Sequence, residues 1–198
     1  PSYGSGANIG GEVFSANRPT ITYNPLTGEK FARSLMTPVQ LISIFNLIQS
    51  GFPVDVVFRV LVHSINGIQN RYGGSGSPRS ADPEFYPLLE KMRRIQNSGA
   101  FGMRVQKMKE GEALVIVFRT RVDEKIEADM LEVRKILGLD LRTREFNVVY
   151  GLVQANDKEI AVLSRPVLQI LIDLASYIEV PEIDVAEKRA NPGLKDES

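Results

Sequence analysis

Residues 101–138 and 146–178 pass through the same order of patterns twice, and this duplication limits the possible folds more than any other feature of the chain. In the first copy, "FGMRVQKM", the turn "KEGE" and "ALVIVFRT" have the period of a hairpin. A helical period follows, with Val122, Ile126, Met130, Val133 and Leu137 on one face behind a cap at Asp123 and a stop at Gly138. In the second copy, "REFNVVYGLVQ", the turn "AND" and "KEIAVLS" read as another hairpin. The helix "RPVLQILIDLASYI" comes next and is expected to turn Val167, Leu168, Leu171, Leu174 and Ile178 inward. Phe101 aligns with Phe146 and Ala113–Arg119 with Glu159–Arg165, an offset of about 45 residues. Two β-β-α units of this kind predict one four-stranded antiparallel sheet with helices on one face. "ALVIVFRT" is apolar on both parities and is expected inside that sheet.

The chain before the duplication is predominantly helical. Thr37-Pro38-Val39-Gln40 offers a capping hydroxyl, a proline at the first helical position and a glutamine three residues after the cap. The helix expected from there to Gly51 carries Leu41, Ile42, Ile44, Phe45 and Ile48 on one side. Its other side, with Gln40, Ser43, Asn46 and Ser50, is uncharged, which suits partial burial or a contact surface. After Pro53, the residues Val54, Val56, Val57, Phe58, Val60, Leu61, Val62 and Ile65 predict a core helix that is apolar nearly all round. The loop "RYGGSGSPRSADP" leads to a helix with Phe85, Leu88, Leu89, Met92 and Ile95 in step, stopped by Asn97-Ser98-Gly99.

Nearer the start, Thr20–Tyr23 reads as a strand, Asn24–Gly28 as a turn and Glu29 onward as a helix, a structural corner without a phosphate signature. The fold class is α+β: a helical N-terminal half, then an antiparallel sheet from two β-β-α units. Residues 1–17 form a flexible or strand-forming lead-in, 18–180 a single domain, and 181–198 a charged tail or linker.

Composition narrows function mainly by exclusion. A chain of 198 residues with 43% apolar content can bury a core. Lysine plus arginine equals aspartate plus glutamate at 24 each, so no overall field draws the protein to nucleic acid or an anionic membrane. The strand "GAFGMRVQKM" alternates aromatic and basic residues, but one exposed aromatic is no stacking platform, and nucleic acid is not an expected partner. Absent cysteine rules out disulfides, thiolate zinc sites and cysteine nucleophiles. The single histidine rules out two-histidine metal sites, and neither a metal nor a cofactor is expected. Ser34 to Val54 is uncharged, yet Gln40, Ser43, Asn46, Gln49, Ser50, Gly51 and Pro53 interrupt it, so no spanning helix is expected.

Several candidate sites compete with structural readings. Gly4, Gly6, Gly10 and Gly11, and Gly73, Gly74 and Gly76, lack the context or the Gly-Lys-Ser/Thr ending of a phosphate loop. Asp55, Arg59, His63 and Asn66 stand at near-helical intervals and form a polar stripe on the expected core helix. Ser64 points about 100° away from His63, so no Ser-His pair is made locally. That stripe, with the Gly73 loop as a lid, is the ligand-binding alternative, and no catalytic residue is assigned. Glu124, Glu127, Asp129 and Glu132 are read as a solvated face beside Lys125 and Arg134. The candidate interaction residues are Gln40, Ser43 and Asn46 together with Tyr3, Ile9 and Val13, which share one parity of the lead-in.

Four stretches carry a resemblance: "RPTITYNPLTGEKFARSLMTPV", "LIQSGFPVDVVFRVLVHSINGIQN", "EVRKILGLDLRTREFNVVYG" and "LSRPVLQILIDLASYIEVP". Across most of residues 18–190 the chain resembles a family of uncharacterised bacterial envelope proteins, many of them predicted lipoproteins. The family has no established activity to carry over. Its members look longer at both ends, with a signal peptide and lipid-accepting cysteine before the equivalent of Pro1, so this chain looks like the middle of such a protein.

The resemblance implies residence in the periplasm or at the outer membrane, with the membrane reached only through a lipid anchor outside this chain. The expected function is a non-enzymatic structural or interaction module that self-assembles into a homo-oligomer or meets another envelope protein. The rivals are a small-ligand binder or hydrolase-like enzyme built on Asp55, Arg59 and His63, and a polysaccharide binder. For the last, tryptophan is absent and only Tyr72, Tyr86 and Tyr150 are candidates.

Overall fold

The computed structural model describes residues 28–73, 79–108, 111–175 and 180–190. Outside the described residues lie the expected strand at Thr20–Tyr23, most of the turn after it, the lead-in with Tyr3, Ile9 and Val13, and Ile178. Among the described residues, the N-terminal helices are α1 (Gly28–Met36), α2 (Leu41–Gln49) and α3 (Val54–Leu61), followed by β1 (Val62–Ile65) and β2 (Ile68–Gln69). Next come α4 (Phe85–Asn97), β3 (Phe101–Met108), β4 (Gly111–Phe118) and α5 (Glu124–Ile136). The chain continues through β5 (Glu145–Tyr150), β6 (Glu159–Ser164), α6 (Val167–Ala175) and α7 (Glu182–Ala186).

The described residues form a mixed α+β fold around one six-stranded sheet in the order β2-β1-β6-β5-β4-β3. Every neighbouring pair is antiparallel except β5 and β6. Because side chains alternate along a strand, register decides which of them share a face. Phe101 opposes Phe118, Met103 opposes Ile116, which opposes Phe146, and Val105 opposes Leu114, which opposes Val148. This face meets the helices. Phe45 and Ile48 of α2, Phe58 of α3, Leu88 of α4 and Met130 of α5 share one buried cluster with Ile116, Phe118, Phe146, Ile160 and Val162. Phe45 and Phe58 pack edge to face at 5.8 Å. Burying side chains of this size contributes about 1.5–3 kcal/mol each.

The two best-framed helices end alike. At α4, Gly99 has φ +67°, its N–H donates to Gln96 O at 2.9 Å, and Ala100 N donates to Ile95 O at 3.2 Å. At α5, Gly138 has φ +64°, and Leu139 N donates to Arg134 O at 2.8 Å. Both ends satisfy last-turn carbonyls through a left-handed glycine. The start of α5 follows the expected cap, with Asp123 Oδ1 accepting from Ile126 N at 3.0 Å.

Four expectations are corrected. First, β5 and β6 do not form a hairpin. They run parallel, with Asn147 level with Glu159 and Tyr150 level with Val162, so the sheet has six strands rather than the expected four. The strand stops at Tyr150, and residues 151–158 carry the chain back to the start of β5. Asp140 N donates to Asp157 O and Asn147 N to Lys158 O along this return, and β6 pairs on its other side with β1.

Second, the core helix ends at Leu61. The run Val62–Ile65 is a strand, because Asn66-Gly67, with φ 46° and 82°, closes a two-residue turn onto Ile68.

Third, α2 starts at Leu41 with Gln40 at the cap position and no side-chain cap bond. Thr37 Oγ1 instead donates to Arg33 O at 2.8 Å, and Val39 N donates to Arg165 O at 3.1 Å, which keeps the chain extended through Pro38.

Fourth, α6 does not turn its apolar face inward: Val167, Leu168, Leu171 and Leu174 remain 37–50% exposed. Its polar edge is the anchored one, through Gln169 and Asp173.

Candidate functional site

Ending α3 at Leu61 separates the polar stripe of Asp55, Arg59 and His63. Asp55 lies on α3 in an ion pair with Arg93, its Oδ1 3.7 Å from Arg93 Nε, too far for a hydrogen bond, and that oxygen is buried without a hydrogen-bond partner among the described residues. His63 lies on β1 with its ring edge-on to Tyr72 at 6.3 Å. Burial holds its pKa below the ordinary value, and the nearby Arg165 and Arg79 guanidiniums add to the effect against the opposing pull of Asp173. Of the three, Arg59 lines the cavity described next. Its guanidinium sits 5.1 Å above the Tyr86 ring and has no carboxylate partner among the described residues.

The cavity has a volume of about 230 Å³, and its lining draws on α3, residues 70–71, Tyr86 of α4, Arg165 and α6. Asn70 shapes one wall. Its Nδ2 donates to Arg59 O at 2.9 Å and to Val62 O at 2.8 Å, satisfying carbonyls left open where α3 gives way to β1. Its Oδ1 accepts from Arg71 N at 2.7 Å, which turns residues 71–73 toward α6.

Arg165 forms the opposite wall. Its backbone is fixed on both sides, N–H to Leu61 O at 2.8 Å and carbonyl to Val39 N. Its side chain is buried, with Nη1 donating to Asp173 Oδ2 at 2.6 Å and Nη2 donating to Arg71 O. Asp173 Oδ1 in turn accepts from Gly73 N at 3.2 Å and Gln169 Nε2 at 3.1 Å.

Sequence reasoning missed Arg165, Gln169 and Asp173. They recur at intervals of four through an otherwise apolar stretch, and that spacing was the available signal.

The expected contact face is exposed. Gln40, Ser43 and Asn46 all reach solvent. Gln40 also borders a second concavity, a groove of about 560 Å³ between residues 38–42 and the end of the sheet that carries Val105, Leu114, Val148 and Tyr150. By register, Val105, Leu114 and Val148 share the core face; Val148 is buried in the core and Leu114 half-buried against it, whereas Val105 is 47% and Tyr150 55% exposed. Among the described residues, no ionisable side chain other than the Tyr150 phenol lines this groove. β3 is an edge strand. Gln49 Nε2 donates to Met103 O at 3.0 Å, and no described strand pairs with β3 on that side.

Three of the four acidic residues on α5 have partners. Asp129 takes both Arg94 Nε and Nη2 at 2.7 Å, Glu132 takes Lys91 at 2.6 Å, and Glu127 is shared by Arg134 and Arg144. Arg94 draws the Asp129 carboxyl below its ordinary pKa. Among the described residues no group of three metal-ligating side chains converges, and no helix is long and apolar enough to cross a membrane. Compared with protein families, with curated proteins and with solved structures, the chain has no match.

Proposed function

We propose that this chain is a non-enzymatic interaction module that associates with a second copy of itself through the groove beside Gln40. The observation that carries this reading is the apolar groove between the start of α2 and the end of the sheet, where Val105 and Tyr150 stay exposed beside half-buried Leu114 and buried Val148. The occupant it suits is the lead-in of another copy. Residues 1–11 contain no charged side chain, Tyr3, Ile9 and Val13 share one parity, and the edge of β3 offers backbone groups to an added strand. Gln40 lines the groove and, with the exposed Ser43 and Asn46 on the same helix, is uncharged and does not penalise an uncharged partner.

The envelope setting, in the periplasm or at the outer membrane with a lipid anchor outside this chain, rests on the sequence resemblance alone. Size-exclusion chromatography with light scattering tests the reading on the full chain and on a chain lacking residues 1–17. The full chain is expected as a dimer or larger and the shortened chain as a monomer. A monomer in both samples removes the proposal.

A further inference from the structure

Val167, Leu168, Leu171 and Leu174 of α6 have the spacing of a core stripe, yet they stay 37–50% exposed. The cause lies on the opposite edge of the helix. Asp173 accepts from Arg165, Gly73 and Gln169, and Gln169 also donates to Gly73 O, so these bonds fix the rotation of α6 and aim its aliphatic stripe at solvent. The neighbouring α1, which packs against α6, carries Phe31 and Met36, 51% and 60% exposed.

This surface runs into the groove beside Gln40. Pro38, which lines the groove, is bridged to Pro166, the residue before Val167, and Met36 stands just ahead of Pro38 in the chain. Size makes the same link. A stable interface takes in about 20–30 residues on each side. Ten residues line the groove, and Val148 among them is buried, so the groove alone falls short and α1 and α6 supply the missing area.

The chemistry of the face selects a second copy. A surface that meets its own copy about a twofold axis must be complementary to itself, and an uncharged aliphatic stripe meets that condition. An anionic lipid surface would find little to hold, because Asp173 is the one charged residue of α6 and Arg33 of α1 is paired with Glu29 at 3.2 Å.

We propose that the exposed faces of α6 and α1 form one docking surface with the groove, on which a second copy of this chain sits over Leu171. From the groove reading this takes only the identity of the partner, a second copy.

Sedimentation of Leu171→Arg is expected to show self-association weakened about tenfold or more. The chain has no cysteine, so Leu171→Cys carries its single thiol. At a concentration ten times the dissociation constant, where about a fifth of the chains are free, N-ethylmaleimide should label that thiol about fivefold more slowly than in dilute solution. Arg121→Cys, at an exposed position in the turn before α5, should label at one rate throughout.

The proposal is overturned if Leu171→Arg associates as the parent does, if Leu171→Cys labels at the same rate at both concentrations, or if its labelling slows only with vesicles of phosphatidylcholine and phosphatidylglycerol. The labelling of Leu171→Cys decides the matter should Leu171→Arg misfold. A chain lacking residues 1–17 that still associates, while Leu171→Arg does not, upholds this surface and removes the lead-in from the groove. The reverse result removes this surface alone, and a parent that is monomeric at every concentration removes both.

Discussion

The cavity beside Arg165 and the groove beside Gln40 are both concave, and they are built from opposite chemistry. In the cavity, charged and amide groups are buried and hold one another, so the same bonds that shape it also join α6 to residues 70–73. In the groove, the walls are aliphatic and aromatic apart from Gln40, and the Val105 and Tyr150 side chains stay exposed. The comparison teaches that damage to the two regions should separate cleanly. Changes in the cavity cost stability, whereas changes in the groove cost association.

The sharpest way to break that contrast is Asp173→Asn. The Arg165–Asp173 pair has side chains only 5% and 13% exposed, and removing the counter-charge strands a buried cation. A loss of about 3 kcal/mol is expected in urea unfolding. A loss within the error of the extrapolation would show that the cavity is no more structural than the groove. Asn70→Ala comes next, because it leaves the carbonyls of Arg59 and Val62 without their donor. About 2 kcal/mol is expected from the same measurement.

On the groove side, Tyr150→Glu replaces a half-exposed side chain and should change monomer stability by less than about 1 kcal/mol. Its effect should appear instead as dissociation on a sizing column.

The smallest effect is a pH slope. His63 has its folded pKa below the ordinary 6.5, mainly through burial and then through Arg165 and Arg79. The unfolded chain therefore binds the proton first as pH falls. The stability this group contributes is full above 6.5 and declines as pH drops from 6.5 through the lowered folded value. His63→Gln should flatten that part of the stability-versus-pH curve, and an unchanged slope would show that neither burial nor the neighbouring Arg165 and Arg79 shifts His63.

Much of the fold could be read from local pattern. The Asp123 cap, the glycine stops at Gly99 and Gly138, the β3–β4 hairpin and the apolar face of α4 all depend on residues close in sequence. The parallel pairing of β5 and β6 could not be read that way, because it is set by β1, about a hundred residues earlier, pairing on the far side of β6. The end of α3 was legible and was overridden by an apolar run that suited a helix and a strand equally. Asn66-Gly67 is the strongest short hairpin signal in the chain, and it fixes Val62–Ile65 as a strand.

The site followed the same division. Arg59 was found as part of a stripe whose other members the structure moves elsewhere. Arg165, Gln169 and Asp173 were hidden in a segment whose apolar residues suggested burial, although its polar edge is the part that is anchored.

Sedimentation of the full chain and of Val105→Asp across a dilution series tests the central claim, that the groove holding the exposed Val105 and Tyr150 is where two copies meet, most directly. The account predicts a reversible dimer or larger species for the parent, and a monomer with an unchanged thermal melt for Val105→Asp. A parent chain that sediments as a monomer at every concentration, or a Val105→Asp chain that associates as the parent does, would contradict it.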